Sequence, residues 1–387
     1  MAAQKECKFV KFIHLSDLHL GKSVHGFSLL EDQEHILKQI LAIADAEKPD
    51  AAFVSGDVFD RNVAPTEALR LFEDFLDGFV RRGIKVFVIS GNHDSPDRLA
   101  FNSRLMKSSG VRIARVFDGR IESFVMSDSF GDVNIFLLPF VKPAWVIRYY
   151  PDEKITSCSD AISVLIKHMG IDKGKRNILL AHQYVLGAVT SESEEISVGG
   201  VDNVEAAVFA TFDYVALGHL HKPQSIGGAT IRYCGTPLKY SFSEAAHTKT
   251  VSVLELHSKG AVQIREVPLY PKRDMREKRG KYRDLLSPVF SERENREDYI
   301  HVTLTDEEDQ PDAVARLRVV YPNLMRLEYD NRRTRAQSAV TEIADASQYQ
   351  PIQLFEMFFK ELNGQDISPT QRDYLAGLIQ KVWEDRQ

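Results

Sequence analysis

Residues 12–22, FIHLSDLHLGK, pass from an apolar run into two potential metal ligands, Asp17 and His19, and then into a glycine. Four further segments repeat the pattern. FVSGDVFD (53–60) supplies Asp57 and Asp60, FVISGNHD (87–94) supplies Asn92, His93 and Asp94, NILLAHQ (177–183) supplies His182, and VALGHLHKP (215–223) supplies His219 and His221. A short apolar run bounded by turn residues is the mark of a buried strand. In an open α/β sheet, ligands gather beyond the carboxyl ends of the strands, so the five segments predict one shared crevice. Asp17 and His19, like His219 and His221, stand two residues apart; an extended chain would turn both members of each pair to the same side.

Between these segments the pattern changes to helical spacing. In LLEDQEHILKQILAIADAEK (29–48), Ile36, Leu37, Ile40, Leu41 and Ala44 share one face, and APTEALRLFEDFLDGFVRRG (64–83) opens with Pro65 and stops at Gly83, as helix-end chemistry prefers. VNIFLLPF (133–140) adds a strand and SDAISVLIKHMG (159–170) a helix. The alternation predicts an α/β domain with a largely parallel sheet. TVSVLELH (250–257) and AVQIREVPLY (261–270) read as a hairpin. The basic segment PKRDMREKRGKYRD (271–284) reads either as a solvated linker or as a phosphate-contacting strip. Strand, helix and strand then follow in DYIHVTLTDE, DAVARLRVVYP and LMRLEYD, and the tail 351–385 reads as two helices with Leu354, Phe355, Phe358, Phe359 and Leu362 on one face. The expected division is 1–270, 271–348 and 349–387.

With 387 residues the chain exceeds what one core usually serves. The 43% hydrophobic and 27% charged content, without any apolar run of membrane-spanning length, excludes an integral helical membrane protein. The N-terminus has no secretory pattern, and the three scattered cysteines suit a reducing compartment; a cytoplasmic location is expected, beside the nucleoid when on DNA. A net charge of −6 neither selects nor excludes a nucleic-acid substrate.

Each candidate ligand taken singly has an ordinary explanation as a cap, a core histidine or a surface residue. Their joint recurrence behind apolar runs favours metal. Imidazole, carboxylate and one amide without thiolate suit Mn, Fe or Zn better than Ca, and there are enough donors for two ions sharing a carboxylate. Such a pair clamps a phosphate and activates water, the arrangement used on phosphate esters.

In this order, DLH, GDVFD, GNHD, AH and GHLH resemble the calcineurin-like metallophosphoesterase superfamily. Within it, FIHLSDLHLGK, GNHDSPDRLAF, SVGGVDNV, VALGHLHKPQ and YCGTPLKYSFSE resemble the bacterial SbcD exonucleases over nearly the whole chain. The resemblance implies a sandwich of two central sheets flanked by helices, a small α/β capping domain that binds DNA, and C-terminal helices that dock a partner. It further implies that Asp17, His19, Asp57 and His221 hold one metal and Asp57, Asn92, His182 and His219 the other, with Mn as the activating ion. His93 matches the histidine that assists the leaving oxygen. Asp60 departs from the archaeal members, which have histidine there, and matches the phosphoprotein phosphatases, where an aspartate orients the catalytic histidine; an Asp60 to His93 hydrogen bond is expected. Arg61 reads as exposed, Asp94 and Arg98 as structural caps, and Lys239 and Tyr240 as aids to DNA placement. The implied activity is exonuclease on double-stranded ends and endonuclease on single strands or hairpins. A homodimer joined to SbcC, an ABC-type ATPase with a coiled coil, is implied as well, since this chain has no GxxxxGK[ST] loop of its own. A phosphomonoesterase or phosphoprotein phosphatase is the alternative enzyme, and a catalytically silent metal scaffold the alternative of another class.

Overall fold

The computed structural model describes residues 9–101, 103–194, 203–287, 295–332 and 334, and in the C-terminal segment 352, 353, 355, 356, 359, 360, 366–372, 374, 375 and 378. Two compact units divide the chain near Arg276, with Glu297–Tyr299 returning to the first.

In the first unit, β1 (Val10–Leu15), β2 (Ala51–Ser55), β3 (Lys85–Ile89) and β4 (Val111–Ile113) run parallel, with α1 (Leu30–Glu47) and α2 (Thr66–Arg81) as the crossovers. A second set comprises the antiparallel pair β5 (Glu122–Asp128) and β6 (Gly131–Leu137), followed by β7 (Arg176–His182), β8 (Tyr214–Gly218), β9 (Gln224–Ser225) and β10 (Ile231–Tyr233). The hairpin of β11 (Thr250–Leu256) and β12 (Val262–Pro268) closes the unit, and β11 returns antiparallel to β1. The result is two six-stranded sheets, β12-β11-β1-β2-β3-β4 and β9-β10-β8-β7-β6-β5.

Two sheets replace the single one that the alternation suggests, in line with the family resemblance. Periodicity reports each strand's burial but not its partner. Along β7, Ile178 and Leu180 join a core with Phe12, Phe53 and Phe87 of the first sheet, whereas Leu179 and Ala181 pack with Ile162 and Leu165 of α3 (Cys158–His168). Strand β7 is therefore apolar on both faces. The β5 strand, ESFVMSD, escaped the sequence reading because Met126 is its only buried apolar residue. Helix α3 begins with a capping box between Ser157 and Asp160.

At the end of the sandwich where β1 and β7 begin, buried Arg176 ties the sheets together. It donates to Asp128 Oδ2 at 2.9 Å and to the main-chain oxygens of His257 at 2.8 Å and Gly131 at 2.6 Å, while Asp128 also accepts from Val10 N at 2.8 Å.

The second unit holds a sheet ordered β13 (Met275–Gly280), β14 (Tyr299–Leu304) and β15 (Leu324–Tyr329), with α4 (Ala313–Val320); its core includes Ile300, Val302, Leu304, Leu317 and Leu324. Part of the basic segment is thus an edge strand, not a linker, and several of its charges face carboxylates. Arg273 reaches Asp32 at 2.8 Å, Arg276 reaches Asp298 at 2.6 Å, and Arg279 pairs with Asp330. These ion pairs weaken the phosphate-strip reading for those three arginines. Of the expected tail face, Phe355 and Phe359 have ring centroids 6.5 Å apart; Leu354, Phe358 and Leu362 lie outside the described residues. Among the described residues no helix is long and apolar enough to cross a membrane.

Candidate metal centre

All five expected segments end at the carboxyl side of β1, β2, β3, β7 and β8. Asp17 and His19 follow β1, Asp57 follows β2, Asn92 and His93 follow β3, His182 is the last residue of β7, and His219 and His221 follow β8. The chain does not stay extended there, as the two-residue spacing had suggested. Among the described residues seven non-glycine positions have positive φ, and four of them are Asp17 (+52°), His19 (+42°), Asp57 (+48°) and His219 (+103°). Such backbone is costly for residues bearing a Cβ and persists where neighbours enforce it. The enforcing contacts are main-chain hydrogen bonds between the first two loops, Asp17 N to Gly56 O and His19 N to Asp57 O, both 3.0 Å.

Those turns bring the seven candidate ligands together. Asn92 Oδ1 lies 2.9 Å from His182 Nε2 and 3.1 Å from His219 Nδ1, so three donor atoms converge on one point. On the other side His19 Nε2 and His221 Nε2 face each other at 3.2 Å, with Asp17 beside them. Asp57 stands between the groups, its Oδ2 3.3 Å from His182 Nε2 and 3.7 Å from His19 Nε2. Asp17, His19, Asp57, His182 and His221 are buried, while Asn92, His93 and His219 are partly exposed and mark the open side.

Electrostatically the centre is under-compensated without a cation. Burial pushes Asp17 up to about 7, with the Asp57 charge adding to it. Burial would raise Asp57 too, but the charge and hydrogen bond of His182 outweigh it and hold Asp57 below the carboxylate range. His182 shows the reciprocal effect and rises to about 9. Burial lowers His219 to about 3 and also lowers His19 and His221, leaving their nitrogens as lone-pair donors. Carboxylate oxygens, an amide oxygen and the neutral imidazoles of His19, His219 and His221, with His182 joining them where a cation would replace its proton, fit two divalent cations.

Contacts behind the ligands set their orientation. His182 Nδ1 is 2.8 Å from the main-chain oxygen of Ser55, and Gln33 Nε2 donates to His19 O at 2.7 Å. The main-chain N–H of His93 donates to Asp57 Oδ1 at 2.9 Å, and its Nδ1 lies 3.0 Å from the main-chain oxygen of Asp60. The expected contact between Asp60 and His93 is therefore made by the backbone. The Asp60 carboxylate instead accepts from Lys22 Nζ at 2.7 Å. Asp94 is structural, accepting from the main-chain nitrogens of Gly91, Val58 and Phe59 at 2.9–3.1 Å, and the Arg61 side chain is 80% exposed. Lys239 and Tyr240 are held by contacts within the first unit. Lys239 Nζ donates to Ala245 O at 2.6 Å and pairs with Asp274 at 2.8 Å, and buried Tyr240 donates its hydroxyl to Leu18 O. Both brace the loop, and the Tyr240 ring lies edge-on to His19 and His221, with centroids 5.6 and 6.1 Å away. Sequence reading missed Ser193, Glu194, Glu244 and Lys249, which surround His221; the SFSE run was visible, but nothing local ties it to a histidine so far upstream.

Residues 10–223 match the calcineurin-like phosphoesterase family. Residues 271–363 match a domain described as Type 5 capsule protein repressor C-terminal domain, the C-terminal domain of SbcD. Among curated proteins, the chain is 31% identical over 377 residues to the SbcD subunit of the SbcCD nuclease from Staphylococcus epidermidis, covering 96% of this chain and 98% of that one. Among solved structures, TT1561 of Thermus thermophilus (14% identity, TM-score 0.37) spans 67% of this chain and 99% of its own length. A dimetal phosphatase from Danio rerio (10% identity, TM-score 0.40) spans 67% and 96%. The ligand-bearing strand ends and the full-length similarity together establish that the chain belongs to the SbcD nucleases of the calcineurin-like phosphoesterase family, metal-dependent hydrolases of phosphodiester bonds.

Proposed function

We propose that this chain is the nuclease subunit of an SbcCD-type complex that uses two manganese ions to cut DNA, as a 3′–5′ exonuclease on double-stranded ends and an endonuclease on single strands and hairpins. It works in DNA end processing, repair and recombination in the bacterial cytoplasm, as a homodimer with an SbcC-type ABC ATPase. The name of the Staphylococcus relative supports the complex. The observation that carries the chemistry is the position of Asp57 Oδ2 between His182 and His19, 3.3 and 3.7 Å away.

In this reading Asp17, His19, Asp57 and His221 hold one ion and Asp57, Asn92, His182 and His219 the other. When bound, the ions supply Lewis acidity to the phosphoryl oxygens and to the attacking water. The chain's own residues do the rest. His93 donates an Nδ1–H hydrogen bond to the Asp60 carbonyl, which orients the ring, and in its doubly protonated form would pass the Nε2 proton to the departing sugar oxygen, leaving the neutral imidazole. The Asp57 carboxylate fixes His93 in turn through the main-chain N–H. The unit beginning near residue 271 is assigned to DNA capping, and the tail from 349 to the ATPase.

End-labelled duplex and hairpin DNA, incubated with Mn with and without the ATPase and ATP, tests the proposal beside a phosphomonoester control. Cleavage of DNA, lost in His93→Ala with both metals retained, is the expected result; hydrolysis of the monoester alone would overturn it in favour of a phosphatase.

A further inference from the structure

Among the described residues, His221 is the one candidate ligand whose distal ring nitrogen faces an ionisable side chain through a hydroxyl. Its Nδ1 lies 2.6 Å from Ser193 Oγ, and Ser193 Oγ lies 2.5 Å from Glu244 Oε1. Glu244 Oε1 is also 3.5 Å from Nδ1 directly. Glu244 is fully buried, and Lys249, 4% exposed, places Nζ 2.5 Å from Glu244 Oε2, 2.7 Å from Thr236 Oγ1 and 2.9 Å from the main-chain oxygen of His221 itself. The three ammonium donors thus meet three acceptors. Glu194 Oε1 accepts the His221 main-chain N–H at 2.6 Å, so backbone and ring are both gripped.

Proton bookkeeping decides what this arrangement does. A carboxylate paired with an ammonium can only accept, so the single Ser193 hydroxyl proton points to Glu244. Ser193 Oγ is then an acceptor toward His221, and Nδ1 must carry the imidazole proton. The bare lone pair falls on Nε2, the nitrogen facing His19 Nε2. By contrast, His182 takes its orientation from a main-chain carbonyl that no substitution removes.

We propose that Glu244, paired with Lys249 and acting through Ser193, is the positioning residue that sets the His221 tautomer and aims Nε2 at the ion shared with Asp17 and His19. This rests on the two-metal reading above. The role is assigned to the chain's own hydrogen bonds and needs no contact between Glu244 and substrate.

The test uses the full chain and manganese alone. Mn affinity at each of two sites is measured by calorimetric titration with electron paramagnetic resonance, and circular dichroism reports folding of the metal-free protein. Glu244→Gln should weaken one site by about 10- to 100-fold, the range found when the hydrogen-bond partner of a metal ligand is removed, and leave the other within about twofold. In a His221→Ala background the same substitution should cause no further loss, because coupled residues are not additive. If Glu244→Gln leaves Lys249 buried without a counter-charge and the protein does not fold, Glu244→Gln with Lys249→Met removes both charges and is judged by the same criterion. Unchanged affinity at both sites, a full additional loss in the His221→Ala background, or failure of both variants to fold would overturn the assignment. Two sites in the wild type with no effect of Glu244→Gln refutes this inference alone, whereas no Mn binding by the wild type refutes the two-metal reading on which it depends.

Discussion

Gly91 is pressed against Asp57: a Cβ on the glycine would lie 2.1 Å from Asp57 Oδ1 and 2.5 Å from the Asp57 main-chain nitrogen. The glycine of GNHD is required because a carboxylate occupies the space that any other side chain would need.

Gly91→Ala should therefore displace the shared carboxylate and weaken both metal sites, not one. Mn titration should show losses of about 10- to 100-fold at each, with a stability cost of about 1–3 kcal/mol from overpacking. Retention of either site at wild-type affinity would show that Asp57 is not shared.

Asp60→Asn keeps the main-chain carbonyl that holds His93 and should leave the pH profile of cleavage in place. His93→Ala should lower turnover by about 10²- to 10⁴-fold with both metals still bound. A shift in the pH optimum of Asp60→Asn would return the orienting role to the carboxylate.

Arg176→Met removes the donor that ties the two sheets at the end away from the metal centre. Asp128 would remain buried without its counter-charge, and breaking such a pair costs about 3–5 kcal/mol. A lower denaturation midpoint with unchanged Mn affinity is expected; weakened Mn binding would mean that the two ends of the sandwich are coupled.

His14 predicts an acid limit to stability. Burial lowers it to about 3, with the Arg232 charge contributing, while its Nδ1 lies 2.9 Å from the Tyr214 hydroxyl. The unfolded chain binds this proton near pH 6.5, so between about 6.5 and 3 the unfolded state holds more protons than the folded one. The contribution is full above that window and falls as pH drops through it, by on the order of 1.4 kcal/mol per pH unit. Metal-free protein unfolded in urea at successive pH values should show this slope, and His14→Gln should reduce it; an unchanged slope would remove His14 as the cause.

Much of the centre was legible because strand ends carry a local signature. Asp17, His19, Asp57, Asn92, His93, His182, His219 and His221 each follow or close an apolar run, and burial of that run is written in the residues themselves. The contacts that orient these groups are not local. Glu244 reaches His221 through Ser193, 51 residues before it, and Gln33 meets Tyr240 across 207 positions; no periodicity records such pairs. The Asp60 to His93 contact fell between these cases, since the residue pair was visible but the choice of backbone over carboxylate was not.

The sequence alone determined which residues are available to the chemistry, most of the strands that carry them, and the membership of the chain in a known family. Tertiary structure decided which strands share each of the two sheets that the family resemblance implies, because β7 buries both faces and pairing follows from what covers each. It also decided how Asp57 comes to lie between two clusters: left-handed turns at Asp17, His19 and Asp57, locked by hydrogen bonds between loops distant in sequence, turn the ligands inward where an extended chain would not.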